Sequence, residues 1–324
     1  MGEYKFKYKR EFILESGSVL PELEICYTAL GKLNNKRDNV IWIIHALTGN
    51  SNPLQWWEGL VGKNKLYDPD KYFIVCTNNL GSCYGTTGPL SINPLTKKRY
   101  GKDFPDVTIR DMVKANILLR KHLRFKKIHI VTGGSLGGQI CLEWAIKEPD
   151  VFNIVIPISA NAKHSAWGIA FNETQRMAID NTRNGIKTAR AIALLSYRCY
   201  RAYEKTQTDN DFRIDGFSAS SYQQYQGAKF ETRFDKQSYF ILSKAMDSHN
   251  VGRNRGNIGN ALNTIKAKVL VIGIKSDILF PVQEQKFITS NIKNAKLQLI
   301  DSLYGHDGFL IEFEKIERII NKFI

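Results

Sequence analysis

Short apolar segments alternate with segments of helical spacing along much of the chain. Four apolar runs of five or six residues predict β-strands at Val40–Ile44, Tyr72–Cys76, Ile128–Thr132 and Ile154–Ser159. Helical spacing predicts helices over Thr108–Arg124 and Ser135–Lys147. Strands that are apolar along their whole length and alternate with helices are typical of a buried parallel sheet with helices on both faces.

Residues 161–254 interrupt this alternation with helical patterns and no clear strand pattern. The helical patterns cover Asn172–Asn181, Thr188–Tyr203 and Ser238–Asp247. Strand patterns resume at Lys268–Ile274 and Lys296–Ile300, and a helix is expected over Gly308–Phe323. We therefore predict one α/β domain made of residues 1–160 and 255–324, with a helical lid inserted at 161–254.

The composition is that of an ordinary soluble globular protein. Of 324 residues, 43% are apolar and 24% charged, and runs such as Ile154–Ile158 are too short to span a bilayer. The basic N-terminus has no apolar stretch behind it, so we expect no secretory signal. Five cysteines without a CxxC pair argue against a disulfide scaffold and a zinc site. We expect a cytoplasmic, reduced protein with no metal.

The net charge of +15 is spread along the chain. A nucleic-acid-binding protein concentrates its charge in a patch or tail, whereas the densest basic clusters here are short, at Lys121–Lys127 and Gly252–Gly256. We therefore expect no nucleic-acid partner and no membrane partner. The excess charge would help to attract an anionic small molecule. The Gly252–Gly256 segment is either a solvated basic loop or a contact for the phosphates of such a molecule.

A serine-centred turn is the strongest chemical motif. Gly133-Gly134-Ser135-Leu136-Gly137 fits G-x-S-x-G, with a predicted strand directly before it and a predicted helix directly after it. This is the context of a nucleophile elbow, a sharp turn that lifts a serine hydroxyl above the edge of the sheet. Ser135 is therefore the candidate nucleophile. The alternative is an ordinary tight turn with a solvated serine.

A serine hydroxyl needs a neighbouring base, and His306 is the best placed of the six histidines. It follows the last predicted strand, where a loop can bring it to the elbow, whereas His122 and His129 are expected to be structural. Asp277 follows the preceding strand and is the candidate orienting acid. The chain order Ser135, Asp277, His306 is that of α/β-hydrolases.

The loop His45-Ala46-Leu47-Thr48-Gly49 follows an earlier strand, where such enzymes carry the second donor of an oxyanion hole. The backbone N–H groups of Leu47 and Leu136 are the candidate donors. His45 is expected to brace this loop and not to act as a base. The residues thus predict acyl transfer through an acyl-serine, without specifying the acceptor.

Further motifs lie along nearly the whole chain: His45–Gly49, Gly81–Pro89, Ser91–Pro94, Asp103–Pro105, Thr108–Asp111, Gly133–Gly138, Ala170–Glu173, Tyr225–Gly227, Ser276–Pro281 and Tyr304–Asp307. In this combination the chain resembles the homoserine O-acetyltransferases of the α/β-hydrolase superfamily. The resemblance implies ping-pong transfer from the co-substrate acetyl-CoA to the γ-hydroxyl of L-homoserine, in methionine biosynthesis. It also implies that no cofactor is bound and that the chain forms a homodimer through the lid.

The resemblance also implies substrate-binding roles for Arg190, Tyr197 and Asp307. An arginine fork suits the carboxylate of an amino acid, and an aspartate suits its ammonium group. Residues seven positions apart on a helix return to the same face, as Arg190 and Tyr197 would. The alternatives are that Arg198 is the substrate arginine, or that the two residues belong to an ordinary amphipathic face.

Other functions remain open at this stage. Some relatives use succinyl-CoA as donor or serine as acceptor, and a serine esterase or thioesterase would use the same triad. An α/β-hydrolase fold retained only as a scaffold usually loses a triad member, and all three candidates are present here. No cluster of residues has the spacing of metal ligands.

Overall fold

The computed structural model describes residues 2–181 and 183–324. Over these residues the chain forms ten β-strands, which are, in order, β1 (Gly2–Tyr8), β2 (Phe12–Ile13), β3 (Val19–Leu20), β4 (Leu23–Leu30), β5 (Val40–Ile44), β6 (Phe73–Thr77), β7 (Ile128–Gly134), β8 (Phe152–Ile158), β9 (Lys268–Ile274) and β10 (Ala295–Ile300).

The same residues form eleven α-helices: α1 (Pro53–Trp56), α2 (Ile109–His122), α3 (Leu136–Lys147), α4 (Ala166–Asn181), α5 (Gly185–Tyr197), α6 (Tyr200–Gln207), α7 (Ser218–Glu231), α8 (Lys236–Asp247), α9 (Ile258–Asn263), α10 (Val282–Ser290) and α11 (Phe313–Asn321). Short 3₁₀ helices cover Gly101–Asp103 and Gly305–Leu310. Over the described ranges, no helix combines the length and the apolar character that a membrane span needs.

Eight of the described strands form one sheet in the order β1-β4-β6-β5-β7-β8-β9-β10. The strands from β6 to β10 pair in parallel, while β1 and β4 are antiparallel to their neighbours. The central strands are buried on both faces. Trp42 and Ile44 of β5 pack into one apolar cluster, and the alternate residues Ile41 and Ile43 pack into the other. The predicted doubly wound sheet is confirmed.

The N-terminal strands were not anticipated from the sequence. In β1, the aromatic residues Tyr4, Phe6 and Tyr8 alternate with lysines, which is a strand pattern of period two. The lysines face outward at the edge of the sheet, where charge discourages pairing with another chain. The high charge of this segment hides its alternation of aromatic residues and lysines.

Between β8 and β9 the chain forms helices α4 to α8, within the segment predicted as an inserted lid. The two ends of this segment run side by side, because His164 N–H donates to His249 O at 2.9 Å and Val251 N–H donates to Ala162 O at 2.9 Å. Such closely spaced ends suit an insertion into a completed sheet. The boundaries at 161 and 254 stay a prediction.

Two predicted helices differ from those observed. The helix expected over Thr188–Tyr203 breaks between α5 and α6, where Arg198 has extended dihedral angles and Cys199 Sγ donates to Leu303 O at 2.9 Å. The helix expected over Gly308–Phe323 is a 3₁₀ turn followed by α11. Both breaks occur where the lid meets the loop after β10, so tertiary contacts override the local helical pattern.

Candidate active site

Ser135 lies at a strained turn between β7 and α3. Its φ is +58°, in a region that residues other than glycine seldom adopt, and its N–H donates to Ile158 O at 2.9 Å. The turn lies tight against β5: a Cβ added to Gly137 would be 2.2 Å from Ile44 O, and one added to Gly133 would be 2.6 Å away. The glycines of the motif are therefore required by this close approach.

Asp277 and His306 form a buried pair. His306 Nδ1 lies 2.7 Å from Asp277 Oδ2, and the other carboxylate oxygen accepts the backbone N–H groups of Leu279 at 2.9 Å and Phe280 at 2.8 Å. An ionised carboxylate only accepts hydrogen bonds, so the imidazole proton is on Nδ1. Nε2 is then unprotonated and able to accept a proton.

Adjacent parallel strands bring these two residues together. Asp277 follows β9 and His306 follows β10, so both lie at the carboxyl edge of the sheet. Ser276 joins the two loops, since its hydroxyl donates to Ser302 O at 2.7 Å and accepts Gly305 N–H at 3.2 Å. These bonds fix the two side chains relative to each other.

The His306 ring is held between aromatic neighbours. It stacks on Phe280 with ring centroids 5.0 Å apart, and Phe309 and Tyr197 contact it at 5.3 and 5.8 Å. Ser135 Oγ makes no hydrogen bond to another described residue. Hydrogen bonds of this type are often formed only when substrate is bound.

A cavity of about 620 Å³ separates the sheet edge from the lid. Its lining includes most of the side chains singled out from the sequence: Leu47, Ser135, Arg190, Tyr197, His306 and Asp307. Asp277 lies buried behind His306. Leu136 is the first residue of α3, so its N–H has no acceptor within the helix. A volume of this size is typical of a small-molecule site.

Arg190 and Tyr197 lie on one face of α5, as their spacing predicts. The Arg190 guanidinium carbon is 5.6 Å from the centre of the Tyr197 ring and 5.2 Å from that of Phe230. No carboxylate of the described residues pairs with Arg190. Burial raises the pKa of the Tyr197 hydroxyl, against the effect of the nearby Arg190 charge. Arg190 thus offers a free guanidinium to the cavity.

Asp307 lies at the side of the cavity next to Arg198. Arg198 Nε is 3.1 Å from Asp307 Oδ2, and the aspartate side chain is 13% exposed. Burial raises the pKa of Asp307, and the charges of Arg198 and Arg190 oppose that rise. The two arginines that the sequence could not separate therefore differ: Arg198 is paired with Asp307, whereas Arg190 is not.

The structure adds a lid arginine that sequence reasoning missed. Arg233 lines the cavity, and its Nη1 donates to Thr48 O at 2.8 Å in the loop after β5. Tyr84, also in the lining, donates its hydroxyl to Arg233 O at 2.7 Å. An isolated arginine beyond a helix end carries no sequence pattern that would have revealed this position.

The basic segment Gly252–Gly256 does not face the cavity. Arg255 Nη1 donates to Glu143 Oε2 at 2.8 Å, and Arg253 Nη2 donates to Glu15 Oε2 at 2.9 Å. These arginines are bound to carboxylates of α3 and of the N-terminal region. Asn254 and Gly256 between and beside them are exposed, and both expectations for the segment, a solvated loop or a phosphate contact, stay predictions.

Four of the other described histidines have partners outside this arrangement. His122 stacks on Phe6, and His129 stacks on Tyr72. His164 and His249 are buried at the base of the lid, where desolvation lowers their pKa values to about 4 and about 3. Both are therefore neutral near pH 7.

Known proteins share the fold of this chain and much of its sequence. A model of the alpha/beta hydrolase fold matches residues 39–313. A homoserine O-acetyltransferase of Cyclobacterium marinum is 49% identical over 96% of this chain and 92% of its own length. The crystal structure of a homoserine O-acetyltransferase from Bacillus anthracis superposes with a TM-score of 0.93 at 25% identity, covering 99% of this chain and 97% of that one.

The fold by itself is shared with hydrolases. The crystal structure of esterase E22 superposes with a TM-score of 0.90 at 22% identity, covering 99% of each chain. Identity at that level carries the fold alone, whereas the curated relative matches in sequence along nearly its full length. The chain is an acyltransferase with the α/β-hydrolase fold, and it belongs to the homoserine O-acetyltransferase family.

Proposed function

We propose that this chain transfers an acetyl group from acetyl-CoA to the γ-hydroxyl of L-homoserine, in methionine biosynthesis, through an acetyl-Ser135 intermediate. One observation carries the proposal. Ser135 and His306, which is hydrogen-bonded to the buried Asp277, line a single cavity with an unpaired guanidinium, Arg190, and a carboxylate, Asp307. That cavity combines groups for acyl transfer with groups that suit both charged ends of an amino acid.

The first half-reaction acetylates the serine. His306 Nε2 takes the Ser135 hydroxyl proton as Oγ attacks the thioester carbonyl, and Asp277 stabilises the imidazolium that forms. The N–H groups of Leu47 and Leu136 stabilise the oxyanion of the tetrahedral intermediate. When that intermediate collapses, the carbon–sulfur bond breaks and His306 returns the proton to the CoA thiolate.

The second half-reaction repeats these steps with homoserine. His306 takes the proton of the γ-hydroxyl, the γ-oxygen attacks the acetyl carbonyl, and Ser135 leaves with the proton that His306 returns. Arg190 binds the α-carboxylate beside the Tyr197 hydroxyl, and Asp307 binds the α-ammonium through the lone pairs that Arg198 leaves free. These contacts fix the γ-oxygen at the acyl-serine and favour it over water.

Thiol release tests the reaction and both substrates. Release is measured from acetyl-CoA and from succinyl-CoA, with L-homoserine, with L-serine and without acceptor, for the wild-type protein and Ser135→Ala. We expect release that requires acetyl-CoA and homoserine and is lost in the variant. Equal release without acceptor would identify a thioesterase, and preference for succinyl-CoA or serine would correct the substrate.

The variant Arg190→Ala tests whether Arg190, and not Arg198, binds the carboxylate of homoserine. A charged hydrogen bond is worth about 1.5–3 kcal/mol, so we expect KM for homoserine to rise roughly tenfold to a hundredfold. With 3-aminopropan-1-ol, which lacks the carboxylate, Arg190→Ala and the wild type should behave alike. If Arg190→Ala raises KM for 3-aminopropan-1-ol by the same factor as KM for homoserine, Arg190 is not the partner of the substrate carboxylate.

We also propose that the chain forms a homodimer through its lid. Large apolar side chains of α6, α7 and the loop between them are exposed, with Phe212 at 93% and Ile214 at 94%. Exposed apolar clusters are characteristic of interaction surfaces. Sedimentation equilibrium should therefore give twice the mass of the chain, and a concentration-independent monomer mass would refute the assembly.

A further inference from the structure

We propose that His45 is a positioning residue for the oxyanion hole, because its ring holds the Ala46–Leu47 peptide in the orientation that turns the Leu47 N–H toward Ser135. This inference rests on the proposed acyl-serine chemistry and goes beyond it. It assigns a role in turnover to a side chain outside the catalytic triad.

The hydrogen bonds of His45 define its tautomer. The ring is fully buried at the end of β5, and Nε2 lies 3.1 Å from the backbone nitrogen of Asn79. A backbone N–H can only donate, so Nε2 is the acceptor and carries no proton. Nδ1 then carries the proton and donates it to Ala46 O at 2.7 Å. Burial lowers the pKa of His45 to about 4, which keeps the ring neutral near pH 7.

Ala46 O is held by a second donor. Gly49 N–H donates to it at 3.0 Å and closes a turn over residues 46–49. The turn is packed against the ring, since a Cβ on Gly49 would lie 2.8 Å from His45 Cβ. With one donor from the ring and one from the turn, the carbonyl has both lone pairs engaged, and rotation of the peptide would break both bonds.

The orientation of that carbonyl determines the orientation of the next N–H. In a planar trans peptide the C=O and N–H groups point in opposite directions, so anchoring Ala46 O directs the Leu47 N–H the other way. Leu47 lines the same cavity as Ser135, and its N–H donates to no other described residue. An N–H without a protein acceptor, beside a nucleophile, is available to a developing oxyanion.

An arginine after α7 contacts the same loop. Arg233 Nη1 donates to Thr48 O at 2.8 Å, one residue beyond Leu47. The loop is therefore held from the core by His45 and from the lid by Arg233. Of these two, the ring of His45 alone bonds directly to the peptide that carries the Leu47 N–H.

Two amide variants separate the two bonds of the ring. The side-chain nitrogen of asparagine can occupy the position of Nδ1, so His45→Asn can still donate to Ala46 O. The amide of glutamine reaches the position of Nε2, so His45→Gln can accept from Asn79 but cannot hold Ala46 O. His249→Asn is the matched control, because His249 is also buried and neutral, bonds a carbonyl, Asn161 O, at 3.0 Å, and lies outside the cavity.

Two quantities are measured. The first is the rate at which p-nitrophenyl acetate acetylates the enzyme, a reaction that needs neither CoA nor homoserine. The second is the inhibition constant of a boronic acid that forms a tetrahedral adduct on serine. Loss of one oxyanion donor lowers kcat on the order of 10²-fold. We expect His45→Gln to lower both the acetylation rate and the affinity for the boronic acid by this factor. In His45→Asn, both quantities should fall by less than a tenth of this factor. His249→Asn should lower the melting temperature without either loss.

The outcomes separate this inference from the function on which it rests. If Ser135→Ala acetylates at the wild-type rate, the proposed nucleophile is wrong and the oxyanion hole is wrong with it. Two results would give His45 a purely structural role while Ser135→Ala is inactive. In the first, His45→Asn and His45→Gln lower the acetylation rate equally. In the second, the acetylation rates of the two variants fall only in proportion to their melting temperatures.

Discussion

At the scale of single residues, the candidate site combines Ser135, Asp277 and His306 from distant parts of the chain. The strand–turn–helix context singled out Ser135, and positions after the last two predicted strands, together with chain order, singled out Asp277 and His306. The structure brings these side chains to one edge of the sheet, and their roles stay a prediction. Tautomers and peptide orientations, as at His45, depend on residues distant in sequence such as Asn79, so no local pattern could reveal them.

Asp307 gives a prediction about pH. Its carboxylate must be ionised to bind an ammonium group, and burial raises its pKa above the usual aspartate value. As pH falls through that raised pKa, the carboxylate takes up a proton and loses its attraction for homoserine. We expect kcat/KM for homoserine to fall on the acid side, starting at a higher pH than an ordinary aspartate would give.

The variant Asp307→Asn supplies the control. It should lower kcat/KM for homoserine at neutral pH and remove the part of the acid limb that Asp307 causes. With 4-hydroxybutyrate, which lacks the ammonium group, the wild type should also lack the part of the acid limb that Asp307 causes. An unchanged acid limb in the variant would mean that Asp307 does not bind the ammonium group.

At the scale of elements, fully buried strands were easier to predict than partly exposed ones. The apolar runs at β5, β7 and β8 were placed to within two residues because both faces of each strand are buried. The charged edge strand β1 and the polar helix α7 were missed. Many residues of these two elements face solvent, so polar side chains interrupt their apolar pattern.

The lid helices give a prediction about assembly. If the exposed apolar residues between α6 and α7 form the dimer contact, replacing Phe212 and Ile214 together by serine should yield a monomer. The matched control replaces Leu95 by serine, because Leu95 is also exposed, at 76%, but lies outside the lid. Sedimentation equilibrium of both proteins checks this, and a double variant that keeps the wild-type mass would place the contact elsewhere.

At the scale of the whole molecule, the fold was predictable as a class and not in its details. Alternating strands and helices gave the parallel sheet, and motifs spread along the chain gave the family. The sheet order depends on pairings between distant segments, such as β4 with β6, that no local pattern contains. The segment between β8 and β9 contributes Arg190, Tyr197 and Arg233 to the lining of the cavity, and its role as a lid stays a prediction.

The central claim is that Ser135 carries the acetyl group between donor and acceptor. Intact-protein mass spectrometry after mixing with acetyl-CoA alone tests it most directly. We predict a gain of one acetyl group, located on Ser135 by peptide mapping, absent from Ser135→Ala and lost when homoserine is added as O-acetylhomoserine appears. The account would be contradicted if the wild-type enzyme formed product without ever carrying an acetyl group. It would also be contradicted if Ser135→Ala still formed product.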